Sequence, residues 1–259
     1  DTAMSKIDSR LVQDVLIIPG PYSSLYGPGF QFVDFELLKS PRSESGLDWH
    51  GQSSFDHNSN GNQWLARQGF WGGGEDWGVR ANYAHRTGSD YRTGSGNKIA
   101  GGYESREFTL AMGRDFGDGR SIELSLLRLD QSDVEFPGYV FDIDYLKTDA
   151  YEITYTDDHA SFSDRAETDI WYNRTVFEGD SSADSKNLQF PQLEALQYKG
   201  VTDVDSLSTG YRHGNSWGTP ENYVVTIGHD LRLIKQELNE ISSGQQPGGG
   251  LPISDQNSP

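Results

Sequence analysis

Apolar and polar residues alternate at every second position along much of this chain. That period leaves β-strands with two unlike faces as the fold to expect. Leu47, Trp49, Gly51, Ser53 and Phe55 share one face, with Asp48, His50, Gln52 and Ser54 on the other. Trp77, Val79, Ala81 and Tyr83 oppose Gly78, Arg80, Asn82 and Ala84. Phe108, Leu110 and Met112 oppose Glu107, Thr109 and Ala111, and Ile122, Leu124 and Leu126 oppose Glu123 and Ser125. Tyr151, Ile153 and Tyr155 alternate with Glu152 and Thr154. The clearest run is the last, where Tyr223, Val225, Ile227, His229, Leu231 and Leu233 face away from Thr226, Gly228, Asp230 and Arg232. The pair Leu126-Leu127 breaks the period and predicts a bulge.

The connections sort by length. Those at 72–76, 116–120 and 214–220 are short, with a medium one at 156–165. Those at 86–102, 130–149, 178–205 and from 236 onward are long. Short turns at one end and long loops at the other are the pattern of a bacterial outer-membrane barrel, whereas a soluble sandwich has no reason to sort its loops. The expected fold is therefore all-β, an antiparallel transmembrane β-barrel of about nine strands, each of roughly 9 to 13 residues. The Val79 and Ile227 faces then turn to lipid, and Arg80, Asn82, Thr226 and Arg232 to the lumen, because a charge at the bilayer midplane costs about 2–4 kcal/mol.

Composition is compatible with that fold and removes several others. The chain of 259 residues has no Cys, 39 acidic against 21 basic residues, and a formal net charge of −18. Phosphate backbones select clustered Lys and Arg, so no nucleic-acid partner is expected. No apolar run approaches the ~20 residues of a membrane helix, but barrels keep a low mean hydropathy, here −0.67. The 6 Trp, 13 Tyr and 12 Phe suit aromatic girdles at two membrane interfaces, and equally an aromatic-rich soluble β protein.

Chemistry-bearing motifs are sparse. Six scattered His without HExxH or Cys do not make a designed zinc site. The glycines from Gly94 lack the dinucleotide-binding offset. Asp142-Ile143-Asp144 opens like a calcium loop, but Lys147 stands where glycine is needed. The triplet at Asn173 falls in a strand, and no two carboxylates stand apart as an acid and a base. Neither an enzymatic activity nor a cofactor is expected.

The stretch Asp14 to Arg42 is different. Two β-type runs, Val15 to Ile18 and Gln31 to Leu38, flank a loop shaped by Gly20-Pro21 and Gly27-Pro28-Gly29 and carrying Tyr22, Ser23, Ser24, Leu25 and Tyr26. The segment GPYSSLYGPGF resembles the late plug segment of TonB-dependent outer-membrane receptors. It departs from the commonest form in having Pro19 before Gly20 and no following Gly-Gly. The passages FPGYVFDIDYLKTDAYE and GHDLRLIKQELNE are similar to loop–strand passages of the same family.

The resemblance implies residues 1–42 as the C-terminal part of a plug and 43–259 as the N-terminal portion of the barrel. It also implies that residues 14–42 lie within or against the lumen. An internal fragment of a longer protein is expected, since Asp1 to Arg10 has no export signal and about nine strands fall short of a plugged barrel's ~22. The implied activity is energy-coupled uptake of a scarce ligand, such as a siderophore, cofactor, sugar or peptide, across the outer membrane of a Gram-negative-type bacterium. Its partners would be outer-membrane lipid, a periplasmic energy-coupling protein of the TonB type, and a small ligand at the extracellular loops. Tyr22 and Tyr26 at the plug apex, with Phe136, Tyr139 and Phe141 in a Pro-Gly loop, are the candidate ligand contacts, because aromatics give large contact at low entropic cost. They would equally serve to pack loops together. The alternative is a passive structural or ligand-binding β-barrel or β-sandwich without active transport.

Overall fold

The structure, a computed structural model, describes residues 8–19, 31–181, 186, 190, 199–219 and 221–243, with the side chains of 19 and 31–34 excepted. A 3-10 turn, Ser9–Leu11, leads into β1 (Val12–Pro19), which pairs with β2 (Gln31–Leu37) as an antiparallel two-stranded unit. The turn is capped by the Asp8 carboxylate, which accepts from the Arg10 amide.

The long strands follow: β3 (Asp48–Asn58), β4 (Gln63–Gly73), β5 (Trp77–Gly88), β8 (Tyr103–Gly117), β9 (Arg120–Val134), β10 (Asp142–Asp157), β11 (Arg165–Asp180), β12 (Lys199–Thr219) and β13 (Tyr223–Ser243). They form one nine-stranded antiparallel sheet in chain order. Between β5 and β8 a small hairpin, β6 (Tyr91–Arg92) and β7 (Lys98–Ile99), stands apart.

The turns at 74–76, 118–119, 158–164 and 221–222 gather at one end of the sheet, the turn end. The connections 89–102 and 135–141 lie at the other, the loop end, together with the tight turn at 59–62 and with Asp180 and Lys199, where β11 ends and β12 begins. The expected sorting by length holds only in part: 89–102 is long, but the turn at 59–62 is tight and 135–141 is no longer than 158–164 at the turn end.

Several boundaries are corrected. Strands run from 11 to 21 residues rather than 9 to 13, and β12 and β13 are the longest. The stretch 130–149 is mostly strand, with a loop only at 135–141. Residues 214–218 belong to β12, and the chain beyond 236 stays in β13 to Ser243. Past the apolar belt the outer face turns polar while the inner face carries buried Leu129 and Leu146 among polar residues, so pairing goes on after the alternation has faded. Leu126-Leu127 is no bulge, since both residues keep continuous register with β8 and β10. Leu127 faces inward opposite Thr109 and Ala150. The bulges occur at Asp115–Gly117 and Ile143–Tyr145.

Register fixes the two faces. Val79, Met112, Leu124, Ile153, Ile170, Tyr211 and Leu231 follow one another across the sheet on the outer face. Phe55, Phe70, Tyr83, Phe108, Met112 and Ile170 on this face are exposed large hydrophobics. A broad exposed apolar face of this kind is the informative departure from a soluble protein. Aromatics mark its two margins on β3–β5: Trp49 stacks on Phe70 and meets Trp77 edge-on near the turn end, while Phe55 packs on Trp64 near the loop end. On the opposite, inner face stand Arg80, Asn82, Thr109, Ala111, Glu123 and Ser125, as the alternation requires.

Candidate functional site

Residues 8–11 and 37–43 lie against the inner face and are held there by polar contacts. Leu38 N donates to Leu11 O at 2.8 Å, tying the ends of the β1–β2 unit together. The Asp8 amide donates to Glu107 Oε2 (3.1 Å), and the Asp8 carboxylate pairs with Arg67. Arg86 reaches Glu107 at 4.0 Å, so this buried group of two acids and two arginines is charge-balanced. Arg80 Nε donates to Lys39 O (3.0 Å). Ser40 gives its amide and hydroxyl to the two oxygens of Glu123 (2.6 and 2.7 Å), and Arg42 is bidentate on Asp115 (3.0 Å each). Ser43 N closes the segment on Gly74 O.

Glycines make this seating possible. Gly78 and Gly113 are cross-strand partners on the inner face. A Cβ on Gly78 would run into Pro41 O, and one on Gly113 into Glu123, Ser40 and Arg42. The inward segment therefore lies on a strip of wall stripped of side chains. The expectation that residues 14–42 are held by hydrogen bonds to inward-facing polar residues holds for 39–42. Leu37, Leu38 and Leu11 also cover Asn82 and Thr109, leaving only a small crevice.

The loop end forms a second locus. Phe136, Tyr139 and Phe141 all fall in the 135–141 loop, whose Gly138 takes a positive φ of 86°. The loop does not gather the three into one surface. Phe136 packs on the buried Leu129, Ile143 and Leu146 and touches Tyr139 edge-on at 6.1 Å. Phe141 turns to Phe177 at 6.3 Å. Tyr139, 61% accessible, presents the most open ring of the three. Packing of the loop thus takes up Phe136 and most of Phe141. Tyr22 and Tyr26 lie outside the described residues.

Lys186 was not legible in the sequence. It is fully buried, with Nζ on Asp142 Oδ1 (2.6 Å) and on Phe136 O (2.7 Å), while Asp142 Oδ1 also accepts from the Phe136 amide (2.8 Å). A lone lysine in an otherwise polar loop carries no pattern that would single it out. Glu135 accepts from Gly102 N (2.8 Å), linking a second loop. Partial burial raises the Glu135 carboxyl, with a further push from Asp90, whereas the hydrogen bond from Lys98 lowers Asp90. Asp144 is pushed up to about 6, first by burial and then by Asp180, Glu178, Asp133 and Asp142. Among the described residues no group of three or more His, Cys, Asp or Glu is arranged to hold a metal ion.

The sequence matches no family model and no curated protein. Among solved structures the chain is similar to the copper transporter OprC, with a TM-score of 0.75 over 91% of this chain at 19% identity. The fold is that of an outer-membrane β-barrel. The match covers 36% of the neighbour, so this chain spans about a third of its length. At that identity the likeness concerns the fold.

Proposed function

We propose that this chain is part of an outer-membrane receptor that imports a scarce ligand by energy-coupled remodelling of an inward plug. Residues 1–42 form the last part of the plug and 43–259 the first part of the barrel, with a periplasmic partner of the TonB type supplying the pull. The observation that carries this reading is the chemistry of the inner contact. The segment 8–11 and 37–43 meets the wall through Asp8, Arg67, Glu107, Ser40, Glu123, Arg42 and Asp115. Polar contacts of this kind can be handed over to water when the segment moves, whereas a dry apolar seam would have to be torn open.

The neighbour's name does not give the cargo. Thiolates and thioethers select Cu(I), but this chain has no Cys and two Met, and Met112 stands on the outer face. The ligand is therefore left as a class: a scarce solute met first by the loop-end aromatics, with Tyr139 the most accessible. In cells carrying the full-length receptor, uptake of the ligand should stop when the inner-membrane energy-coupling partner is deleted, while surface binding persists. Uptake unchanged by that deletion would favour the passive barrel.

A further inference from the structure

At the loop end the hairpin segment 89–102 lies between the 59–62 turn and the 135–141 loop, and the bonds on its two sides differ in kind. Toward 59–62 they are neutral. Ser89 N donates to Gly61 O (2.7 Å), and the Asn60 side chain accepts from Arg92 N (2.8 Å) and donates to Arg92 O (2.9 Å). Toward 135–141, Glu135 N donates to Gly102 O (2.9 Å) and Gly102 N to Glu135 Oε2 (2.8 Å). The same seam brings two carboxyl groups into hydrogen-bond contact, Glu135 from the loop and Asp90 from the base of the hairpin. Asp90 also receives Lys98 Nζ (2.6 Å) and the Gly101 amide.

Two ionised carboxylates have no hydrogen to share, so this contact is a bond only while one proton stays on the pair. Lys98 and the Gly101 amide favour the charged form of Asp90, which leaves the proton on Glu135. The surroundings act the same way. Burial raises the Glu135 carboxyl, and Asp90 and Asp142 push it further against the opposing Gly102 amide; Asp90 is lowered, first by its hydrogen bond from Lys98. The charged groups around the contact are Lys98 on the hairpin, Asp142 at the start of β10, and Lys186, whose ammonium is committed to Asp142 Oδ1 and Phe136 O. Three carboxyls, those of Glu135, Asp90 and Asp142, thus meet the two ammonium groups of Lys98 and Lys186, and one proton balances them.

We propose that Asp90 and Glu135 form a proton-operated clasp, which holds the hairpin 89–102 on the 135–141 loop in acid and releases it as pH rises. With the proton present, the Glu135 hydroxyl donates to Asp90 while Oε2 accepts from Gly102 N. With the proton gone, two adjoining carboxylates repel across the seam. The bonds from Ser89 and Arg92 to the 59–62 turn involve no titrating group and persist. The hairpin therefore leaves one neighbour while staying on the other, and Tyr91 and Gly101 part from Pro137, which packs beside them in the closed form. The closed form binds the proton more tightly than the open one. Closing is therefore favoured as pH falls from the raised Glu135 value toward the ordinary carboxyl value of about 4.3, and the open-to-closed ratio changes by at most about tenfold per pH unit. The clasp is a property of these loops and does not depend on ligand import.

The test measures distances between spin labels in the full-length protein from about pH 5 to about pH 8. One label pair, S95C with V140C, spans the clasp; the other, S95C with S59C, spans the neutral side. In the otherwise unchanged protein the first pair should be short in acid, with a longer population growing as pH rises, while the second stays constant. E135Q should keep the first pair short at every pH, because its amide donates to Asp90 without a proton and its oxygen still accepts from Gly102 N. D90N, whose amide can donate to the Glu135 carboxylate, should flatten the response as well, so the assignment does not hang on one variant. K98M should move the midpoint up by about one pH unit, since a neighbouring opposite charge shifts a carboxyl by about 1–3 units. A first pair that does not change with pH overturns the proposal without recourse to E135Q, D90N or K98M. So does an E135Q profile that follows the unsubstituted one, which would put the proton elsewhere, or a lengthening of both pairs together, which would mean general loosening of the loop end.

Discussion

Lys186 and Asp142 form the most consequential side-chain pair at the loop end, because each is almost wholly buried and both hold the Phe136 backbone. Removing one member of a buried pair leaves an uncompensated charge, whereas replacing both with apolar groups is often tolerated. Lys186→Met should therefore destabilise the loop end by about 3–5 kcal/mol, and Lys186→Met with Asp142→Leu should recover much of it. Proteolysis within 135–141 and exchange of the Phe136 amide read the difference.

Asp144 gives the same region a pH response. Its carboxyl titrates near 6 in the folded chain, against about 3.9 when unfolded. Above pH 6 it is charged in both states, and the repulsion from Asp180, Glu178, Asp133 and Asp142 is fully present. As pH falls from 6 toward 4 the folded chain takes up a proton that the unfolded chain does not, so local stability rises. Amide exchange at 142–146, corrected for its intrinsic pH dependence, should slow between pH 7 and pH 5. Asp144→Asn should flatten that change.

At the scale of elements, the inward segment depends on a bare strip of β5 and β8. Gly78→Val would place a side chain where Pro41 O now sits, and overpacking of this kind costs about 1–3 kcal/mol. The Ser43 amide, bonded to Gly74 O, should then lose its exchange protection while the sheet amides of β9–β12 keep theirs. Protection of Ser43 unchanged in the variant would mean the strip has no part in seating the segment.

This strip shows where sequence reasoning stopped. The glycines are visible at 78 and 113, but their use depends on register that sets Gly78 opposite Gly113 and on Ser40 reaching Glu123, 83 residues away. Facing was legible in the middle of β5, β8, β10 and β13 and in β9 as far as Leu126, because one strand face meets an apolar medium and the other a polar interior. Strand ends were not. Around Asp203, Asp205 and Lys147 the outer face turns polar while Val204 and Leu146 lie on the inner one, so hydrogen bonding continues with no apolar-out, polar-in alternation to report it. The loop-end aromatics were placed correctly in a loop, yet three of them within six residues did not imply one shared surface. Leu129, Ile143 and Phe177 claim two of the rings.

At the scale of the whole molecule, nine antiparallel strands among the described residues, an exposed apolar outer face and a largely polar inner face bearing a clasped segment fit one arrangement. That arrangement is a β-barrel wall with its apolar face outward, and the segment against its inner face is the one we propose as part of a plug. The balance of faces can be probed by substitution. Ala81→Arg, midway along the outer face, should impair insertion by about 2–4 kcal/mol, while Ser208→Arg on the inner face should be nearly neutral. Electrophoretic mobility of unheated samples, which distinguishes folded barrels, reports the outcome.

The most direct measurement is a spin-label walk along β10, residues 150–155, in the full-length protein reconstituted into lipid vesicles. Collision with lipid-dissolved oxygen should peak at Tyr151, Ile153 and Tyr155 and fall at Ala150, Glu152 and Thr154, with a period of two residues. A flat profile, or maxima at 150, 152 and 154, would contradict the account of this chain as a membrane-spanning wall with its apolar face outward.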